Sequence, residues 1–169
     1  IETERLLLKN YAAEDKANFI ALLTDEAVMK DVDTGVFTIE KAEQLWAKLI
    51  ENFYPQGIDT IYAVFAKDDK RYIGHAAIRP RPEKKEDWEI SNILKAEEWG
   101  KGFATEIARR LIEYGFGELD LKQVVATIDD DNFGSIKAAE KAGMSFSHYE
   151  RDEQGRFSVY FVKKLSNQS

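Results

Sequence analysis

The stretch of residues 88–128 constrains the fold of this chain more than any other part of the sequence. It begins with a predicted β-strand at residues 88–94, passes through a turn with two glycines and a helical segment, and ends in a second predicted strand at residues 124–128. The helical segment has an apolar stripe at helical spacing. This stripe consists of Phe103, Ala104, Ile107, Ala108, Leu111, Ile112 and Gly115. A strand, a helix and a strand in this order predict a crossover between two parallel strands of one sheet.

The rest of the sequence supplies further strands and helices around this crossover. The other predicted strands cover residues 5–9, 61–66, 72–78, 145–150 and 157–163. The other predicted helices cover residues 13–23, 39–53 and 132–142, with Thr38 as the N-cap of the second. The last two strands are expected to form a hairpin. We therefore predict an α/β fold with a central mixed, mostly antiparallel sheet of about seven strands flanked by about four helices, in one domain over residues 1–169.

The composition excludes several classes of protein. The chain has no cysteine, so disulfides, zinc–thiolate sites and a cysteine nucleophile are ruled out. The net charge of −7 disfavours nucleic acid as a partner. No apolar run is long enough to cross a membrane, and the start lacks the pattern of a signal peptide. We expect a cytoplasmic protein with no membrane partner and no metal, and because residue 1 is isoleucine, we expect that residues precede it.

The turn with two glycines, residues 99–104, is the first candidate for a binding site, and we call it the glycine turn. Gly100 and Gly102 lie between a buried strand and the start of a helix, where unpaired backbone N–H groups and a partial positive charge can hold an anion. Lys101 adds a mobile positive charge. The spacing fits neither a P-loop nor a dinucleotide fingerprint. An ordinary turn with glycines for tight packing is the alternative.

Three separated motifs in the right order resemble the GNAT acetyltransferase superfamily. They are Thr3 to Leu8, then Glu89-Ile90 with Trp99 to Glu106, and finally Asn132, Ser135 and Glu140 to Gly143. The resemblance covers residues 3–163 and is greatest to the ribosomal-protein N-terminal acetyltransferase (RimJ/RimL-like) branch. It implies an acetyl-CoA-dependent N-acetyltransferase. The acceptor is either a protein N-terminus or a small amine, and a non-catalytic acyl-CoA-binding regulatory module is the alternative function.

The resemblance also implies which residues bind acetyl-CoA. The backbone of the glycine turn is expected to hold the pyrophosphate. The residues concerned are Trp99, Gly100, Lys101, Gly102, Phe103, Ala104 and Thr105. Ile93 and Leu94 are expected beside the pantetheine and the acetyl carbonyl, and Asn132, Ser135 and Lys141 farther along the cofactor. Trp99 departs from the family motif, which has glutamine or arginine there, so a side-chain contact to phosphate is lost.

The resemblance gives Glu89 the role of general base, acting through water, with a cross-strand ion pair or a solvated strand residue as the alternatives. His75 is the second candidate for the base, and a hydrogen-bonded packing histidine is its alternative. Many relatives have a tyrosine as general acid where this chain has Ala139. Ser135 or a water is then expected to take that role. Asn132 is also a good N-cap, and both roles can hold together.

The acceptor and the oligomeric state have weaker sequence signals. Five acidic residues are expected near the acceptor pocket and favour a cationic acceptor. They are Asp31, Asp33, Asp59, Glu86 and Asp87. The aromatic segment 157–161 either pairs two copies into a homodimer, as the terminal strands of many relatives do, or belongs to the core.

Overall fold

The computed structural model describes residues 1–32 and 34–166. Seven strands form one sheet in the order β1-β2-β3-β4-β5-β7-β6. The strands are β1 Leu6–Lys9, β2 Ile61–Ala66, β3 Tyr72–Pro80, β4 Trp88–Leu94, β5 Gln123–Asp129, β6 Ser145–Arg151 and β7 Phe157–Lys164. The helices are α1 Lys16–Leu23, α2 Glu26–Met29, α3 Ile39–Lys48, α4 Phe103–Gly117 and α5 Phe133–Lys141. The predicted fold class, a mixed sheet with flanking helices, is confirmed.

The helical elements differ from the sequence prediction in several places, including 3-10 turns at Tyr54–Gln56 and Ala96–Glu98. Residues 13–15 form a 3-10 turn before α1, and α3 ends at Lys48, after which Leu49–Phe53 form a π-helical turn. The short helix α2 was not predicted, although Asp25 caps it by accepting a hydrogen bond from the Val28 N–H. The predicted N-cap of α3 is confirmed, since the Thr38 side chain accepts a hydrogen bond from the Lys41 N–H.

The chain divides into two compact units, and the first contains residues 1–77 and 92–101. Here β1, β2 and β3 pair in antiparallel fashion. The largest fully buried side chains of its helical layer include Phe19, Met29 and Leu49. They form a core with the aromatic rings of Tyr11 and Trp46, because α1 and α3 pack against each other. The prediction of a single domain over residues 1–169 stays a prediction.

The second unit contains residues 78–91 and the chain from residue 102 onward. Trp88 and Glu89 pair in parallel with Val124 and Val125, so the predicted crossover through α4 is confirmed. Gly115 allows α4 to approach β5, since a Cβ at this position would lie 3.0 Å from Cγ2 of Val124. Val124 therefore faces α4.

The predicted hairpin of β6 and β7 is also confirmed, but β7 and not β6 pairs with β5. Ser158 to Phe161 are buried in β7, and Phe157 is 48% exposed. The central residues of the aromatic segment 157–161 therefore belong to the core. Since β7 is flanked by strands on both sides, it offers no free edge for strand pairing with a second copy. None of the helices in the described residues is long and apolar enough to span a membrane.

Candidate functional site

The glycine turn has the backbone conformation that its two glycines permit. Gly100 and Gly102 have φ angles of +75° and +82°, in the left-handed region that other residues adopt only at a cost. Gly102 is the N-cap of α4 and, having no side chain, makes no side-chain cap hydrogen bond, whereas the Thr38 and Asn132 side chains cap α3 and α5. Helix starts carry N–H groups without intrahelical partners and a partial positive charge. The start of α4 therefore suits an anion better than the capped starts of α3 and α5 do.

A buried carboxylate, that of Glu98, immediately precedes this turn. Glu98 is 2% exposed. Its Oε1 accepts a hydrogen bond of 2.9 Å from Arg71 Nε, and its Oε2 accepts bonds of 3.2 Å from Arg71 Nη2 and 2.9 Å from Lys101 Nζ. The hydrogen bonds from Arg71, against the opposing effect of burial, lower the pKa of Glu98. The charge of Lys101, expected to be mobile, is thus engaged by Glu98.

Two more hydrogen bonds hold the glycine turn. The Trp99 indole Nε1 donates to the Leu94 carbonyl at 3.0 Å, and Arg5 Nη1 donates to the Lys101 carbonyl at 3.0 Å. The Trp99 side chain is still 50% exposed. The sequence prediction included Trp99 but missed Arg5, Arg71 and Glu98. No sequence signal links these residues, because Arg71 and Glu98 lie 27 positions apart.

The end of β4 is set by a close approach to β3. A Cβ at Gly74 would lie 2.2 Å from the Ile93 carbonyl oxygen and 2.9 Å from Leu94 Cα, so only glycine fits there. The Lys95 N–H donates to the Ile73 carbonyl at 3.0 Å just beyond this contact. Ile93 and Leu94, predicted cofactor-binding residues, are therefore placed by a glycine that the sequence prediction did not include.

Glu89 lies on the sheet face opposite to α4. Its register partner is Val125, the neighbour of Val124, and successive residues of a strand point to opposite faces. The side chain is partly exposed. Parallel pairing in the described chain ends at Glu89 and Val125, so Ile90 and Ser91 have no ladder partner in β5. The predicted base therefore lies at the last ladder pair of β4 and β5 in the described residues.

Polar side chains of β5, β7 and the loop before β4 share this face of the second unit. Tyr160 is directly opposite Thr127, and its hydroxyl donates to Asp87 Oδ2 at 2.8 Å. Burial and this hydrogen bond raise the pKa of Tyr160 to about 12. Asp87 is 4% exposed and also accepts a hydrogen bond from Gln123. Asp87, expected to attract a cationic acceptor, is thus a buried structural residue instead.

A basic and an acidic side chain complete this polar face. Arg81 forms a fork to Glu150, with distances of 3.3 and 3.1 Å, and its guanidinium lies 5.3 Å from the Tyr160 ring centroid. The Glu150 hydrogen bonds, with a smaller electrostatic effect from Glu89, raise the pKa of Arg81. Arg81 is therefore a cationic neighbour of Glu89, but its fork binds Glu150.

The side-chain oxygen of Thr127 is buried and has no hydrogen-bond partner among the described residues. Its register neighbour Tyr160 has its hydroxyl committed to Asp87. A buried hydroxyl without a partner costs free energy. The sequence prediction did not single out Thr127, because nothing in a strand pattern shows whether a threonine is satisfied.

His75 lies in the core of the first unit. It is 8% exposed, and its Nδ1 is 3.2 Å from the Tyr11 hydroxyl, which is itself 2.7 Å from the Tyr72 hydroxyl. The ring centroids of Tyr11 and Phe19 lie 5.9 and 6.0 Å from the ring centroid of His75. Burial raises the pKa of Tyr11. These contacts are those of a hydrogen-bonded packing histidine, the alternative that the sequence left open.

The remaining predicted residues lie on α4 and α5. Phe103 is buried at the first turn of α4, and Ala104 and Thr105 are partly buried. Asn132 Oδ1 accepts a hydrogen bond of 3.2 Å from the Ser135 N–H, so its role as N-cap of α5 is confirmed. Lys141 is exposed, and its carbonyl accepts a hydrogen bond of 2.7 Å from Arg109.

The acidic residues expected near the acceptor pocket belong to both units. Asp31 and Asp59 are exposed in the first unit, and Glu86 is exposed in the second. Asp59 accepts a hydrogen bond of 2.7 Å from Asn10. Asp33 lies outside the described residues.

Comparison with known proteins identifies similar acetyltransferases. A family model described as an acetyltransferase (GNAT) domain matches residues 5–145. The uncharacterized N-acetyltransferase YnaD of Bacillus subtilis is 30% identical over 144 residues, which cover 85% of this chain and 81% of that protein. The crystal structure of a GNAT-family acetyltransferase from Bacillus anthracis has a TM-score of 0.83 at 25% identity and covers 97% of each chain.

Two other solved structures show the same fold at lower identity. Spermidine N-acetyltransferase from Vibrio cholerae, in complex with CoA and spermine, has a TM-score of 0.76 at 17% identity and covers 94% of this chain and 95% of its own. Ribosomal-protein-S5-alanine acetyltransferase from Vibrio fischeri has a TM-score of 0.76 at 16% identity and covers 100% and 98%. One acts on a small amine and the other on a protein, so these likenesses concern the fold and not the acceptor.

Proposed function

Because this chain belongs to the GNAT family of N-acetyltransferases, we propose that it transfers the acetyl group of acetyl-CoA directly to a primary amine. The uncapped start of α4 after Gly102 is the observation that carries this proposal. It supplies backbone donors for an anionic group at the place where the family motif has its phosphate-binding turn.

The cofactor is held mainly by backbone in this account. The N–H groups of the glycine turn bind the pyrophosphate, and the conformation of Gly100 leaves open space where a Cβ would lie. Ile93 and Leu94 line the pantetheine with their backbone. Asn132, Ser135 and Lys141 of α5 provide further polar contacts, with Lys141 as a partner for the 3′-phosphate. Trp99 contributes its backbone, since its indole N–H is bound to Leu94.

The chemistry needs few side chains. Glu89 takes a proton from the acceptor ammonium through a water, and the freed amine attacks the thioester carbonyl. The C–S bond then breaks, the nitrogen releases its second proton to form the amide, and that proton reaches the thiolate through Ser135 or through water. A thiol has a pKa of about 8.5, so the leaving group needs little help. His75 is the second candidate for the base, and its burial in the first unit favours Glu89.

The acceptor that we propose is a cationic amine, either a small polyamine-like molecule or the N-terminus of a protein. The net charge of −7 and the exposed carboxylates of Asp31, Asp59 and Glu86 support this class. The spermine-bound relative in the same fold is consistent with it.

An acetyl-transfer assay tests the proposal. Release of free CoA thiol would be followed with acetyl-CoA and a panel of amines: spermidine, an aminoglycoside and a peptide with a free N-terminus. Wild type should turn over at least one amine. Glu89→Gln should lower kcat about 100-fold or more near neutral pH and recover towards pH 10, where the amine loses its proton unaided.

Glu113→Gln is the matched control, since Glu113 is an exposed carboxylate on α4. It should keep wild-type activity. If Glu89→Gln behaves as Glu113→Gln does while His75→Ala abolishes turnover, the base is His75. Binding of acetyl-CoA without turnover of any amine would favour the acyl-CoA-binding module over the enzyme.

A further inference from the structure

Residues 99–101 of the glycine turn are anchored, within the first unit, by contacts that no phosphate-binding motif predicts. Gly100 and Gly102 would otherwise give this turn much freedom, because glycine loses more conformational entropy on ordering than any other residue. The anchors are the Trp99 and Arg5 hydrogen bonds and the ion pairs of Glu98 with Arg71 and Lys101.

Glu98 is the centre of these contacts. Its side chain is 3% exposed, so both oxygens depend on protein donors and not on water. Arg71 comes from the start of β3 and binds Glu98 through two nitrogens, which fixes direction as well as distance. Lys101 lies within the turn and binds the same carboxylate. The carboxylate therefore ties the turn to β3.

We propose that Glu98 and Arg71 are positioning residues for the cofactor: their ion pair holds the glycine turn in its binding conformation before acetyl-CoA arrives. This inference rests on the proposed function, which assigns the turn to the pyrophosphate. If the turn is already ordered in the free protein, binding of the cofactor does not have to offset the entropy cost of ordering it. Lys101 acts in this scheme through Glu98, as part of the anchor.

The test is a calorimetric titration with CoA, which binds without turnover. Glu98→Gln keeps the size of the side chain but removes its charge, and it should raise the Kd for CoA about tenfold. Its kcat at saturating acetyl-CoA and its KM for the amine should stay within about twofold of wild type. Arg71→Lys keeps the positive charge but loses the two-nitrogen contact with Glu98. Its Kd for CoA should lie between those of wild type and Glu98→Gln.

Asp69→Asn is the matched control. Asp69 is an exposed partner of Arg71, at 2.9 Å from Nη1, so this change weakens Arg71's outer contact and spares Glu98. Its Kd should equal that of wild type. Lys101→Met should raise the Kd less than Glu98→Gln does, and the reverse order would mean that Lys101 binds phosphate directly and would overturn the proposal.

Three results separate the possible failures. If wild type does not bind CoA, the proposed function itself fails. If wild type binds and Glu98→Gln and Arg71→Lys bind equally well, the inference fails alone. If Glu98→Gln is recovered only in small amounts, Arg71→Lys is decisive: a lower melting temperature with an unchanged Kd would reduce the ion pair to a purely structural role.

Discussion

Single residues decide the energetics of the polar face on β5. The hydroxyl of Thr127 is buried with no partner in the described residues, whereas the hydroxyl of Tyr160 opposite it is bound to Asp87. Burial without a partner costs about 1–3 kcal/mol, and a valine of the same shape avoids that cost. The unpaired hydroxyl of Thr127 therefore lowers the stability of the folded protein.

We expect Thr127→Val to raise the free energy of unfolding by about 1 kcal/mol, because it removes an unsatisfied buried hydroxyl. Urea unfolding followed by circular dichroism would measure this. Thr24→Val is the control, since its hydroxyl donates to the Ile20 carbonyl at 2.8 Å and its loss should destabilise. If Thr127→Val destabilises as Thr24→Val does, then the Thr127 hydroxyl is paired in solution.

Residues whose role is local could be predicted from the sequence. The caps Thr38 and Asn132 and the two glycines of the glycine turn follow from residue type and the next few positions. Glu98 with Arg71 could not be predicted. Their contact exists only because the start of β3 lies beside the turn after β4, which is a property of the folded chain.

At the scale of elements, the contact of β3 with the end of β4 leaves no room for a side chain at Gly74. Gly74 lies against the Ile93 carbonyl so closely that a methyl group would overlap it. In the proposed function, Ile93 and Leu94 line the pantetheine. A shift of these residues would therefore reach the cofactor.

We expect Gly74→Ala to lower the free energy of unfolding by about 1–3 kcal/mol, because a Cβ 2.2 Å from the Ile93 oxygen forces the strands apart. Urea unfolding measures the loss. Gly117→Ala is the control: a Cβ there meets nothing within 4 Å, and this glycine ends α4, so the change should be neutral or slightly stabilising. Equal stabilities for the two variants would contradict the close approach.

The spacing of apolar residues predicted most elements but not all of their ends. Residues 39–53 have one continuous helical pattern, yet the backbone changes from α to π after Lys48. A π turn adds about one residue per turn, a change too small for spacing to detect over five residues. Helix α2, with four residues, is too short for any periodicity.

At the scale of the whole molecule, the seven-stranded mixed sheet agrees with the fold of the GNAT structures that this chain resembles. The hairpin of β6 and β7 was predicted, but either strand could have joined β5. The structure places β7 there because Val159, Tyr160 and Phe161 are buried, whereas most of β6 is exposed. This choice depends on packing against the rest of the sheet, so the order of strands within a hairpin gives no signal for it.

The charge of the whole molecule also bears on the central claim. A net charge of −7 repels an anionic cofactor at long range, and screening limits that effect to about 8 Å at physiological salt. In the proposed function, binding comes from local donors, above all the backbone at the start of α4. We therefore expect cofactor binding to depend on the glycine turn more than on any cationic side chain.

Calorimetric titration of acetyl-CoA into wild type and Gly102→Glu tests this claim most directly. A glutamate at φ +82° adds strain and a negative charge at the helix start, so binding should be lost. Gly155→Glu, at φ +83° in the β6–β7 turn, carries the same strain and charge elsewhere and should bind normally. We predict that wild type binds acetyl-CoA with a Kd of about 10 µM or below. It should show no binding of NAD. Folded wild type that does not bind acetyl-CoA, or folded Gly102→Glu that binds it as well as wild type does, would contradict the account.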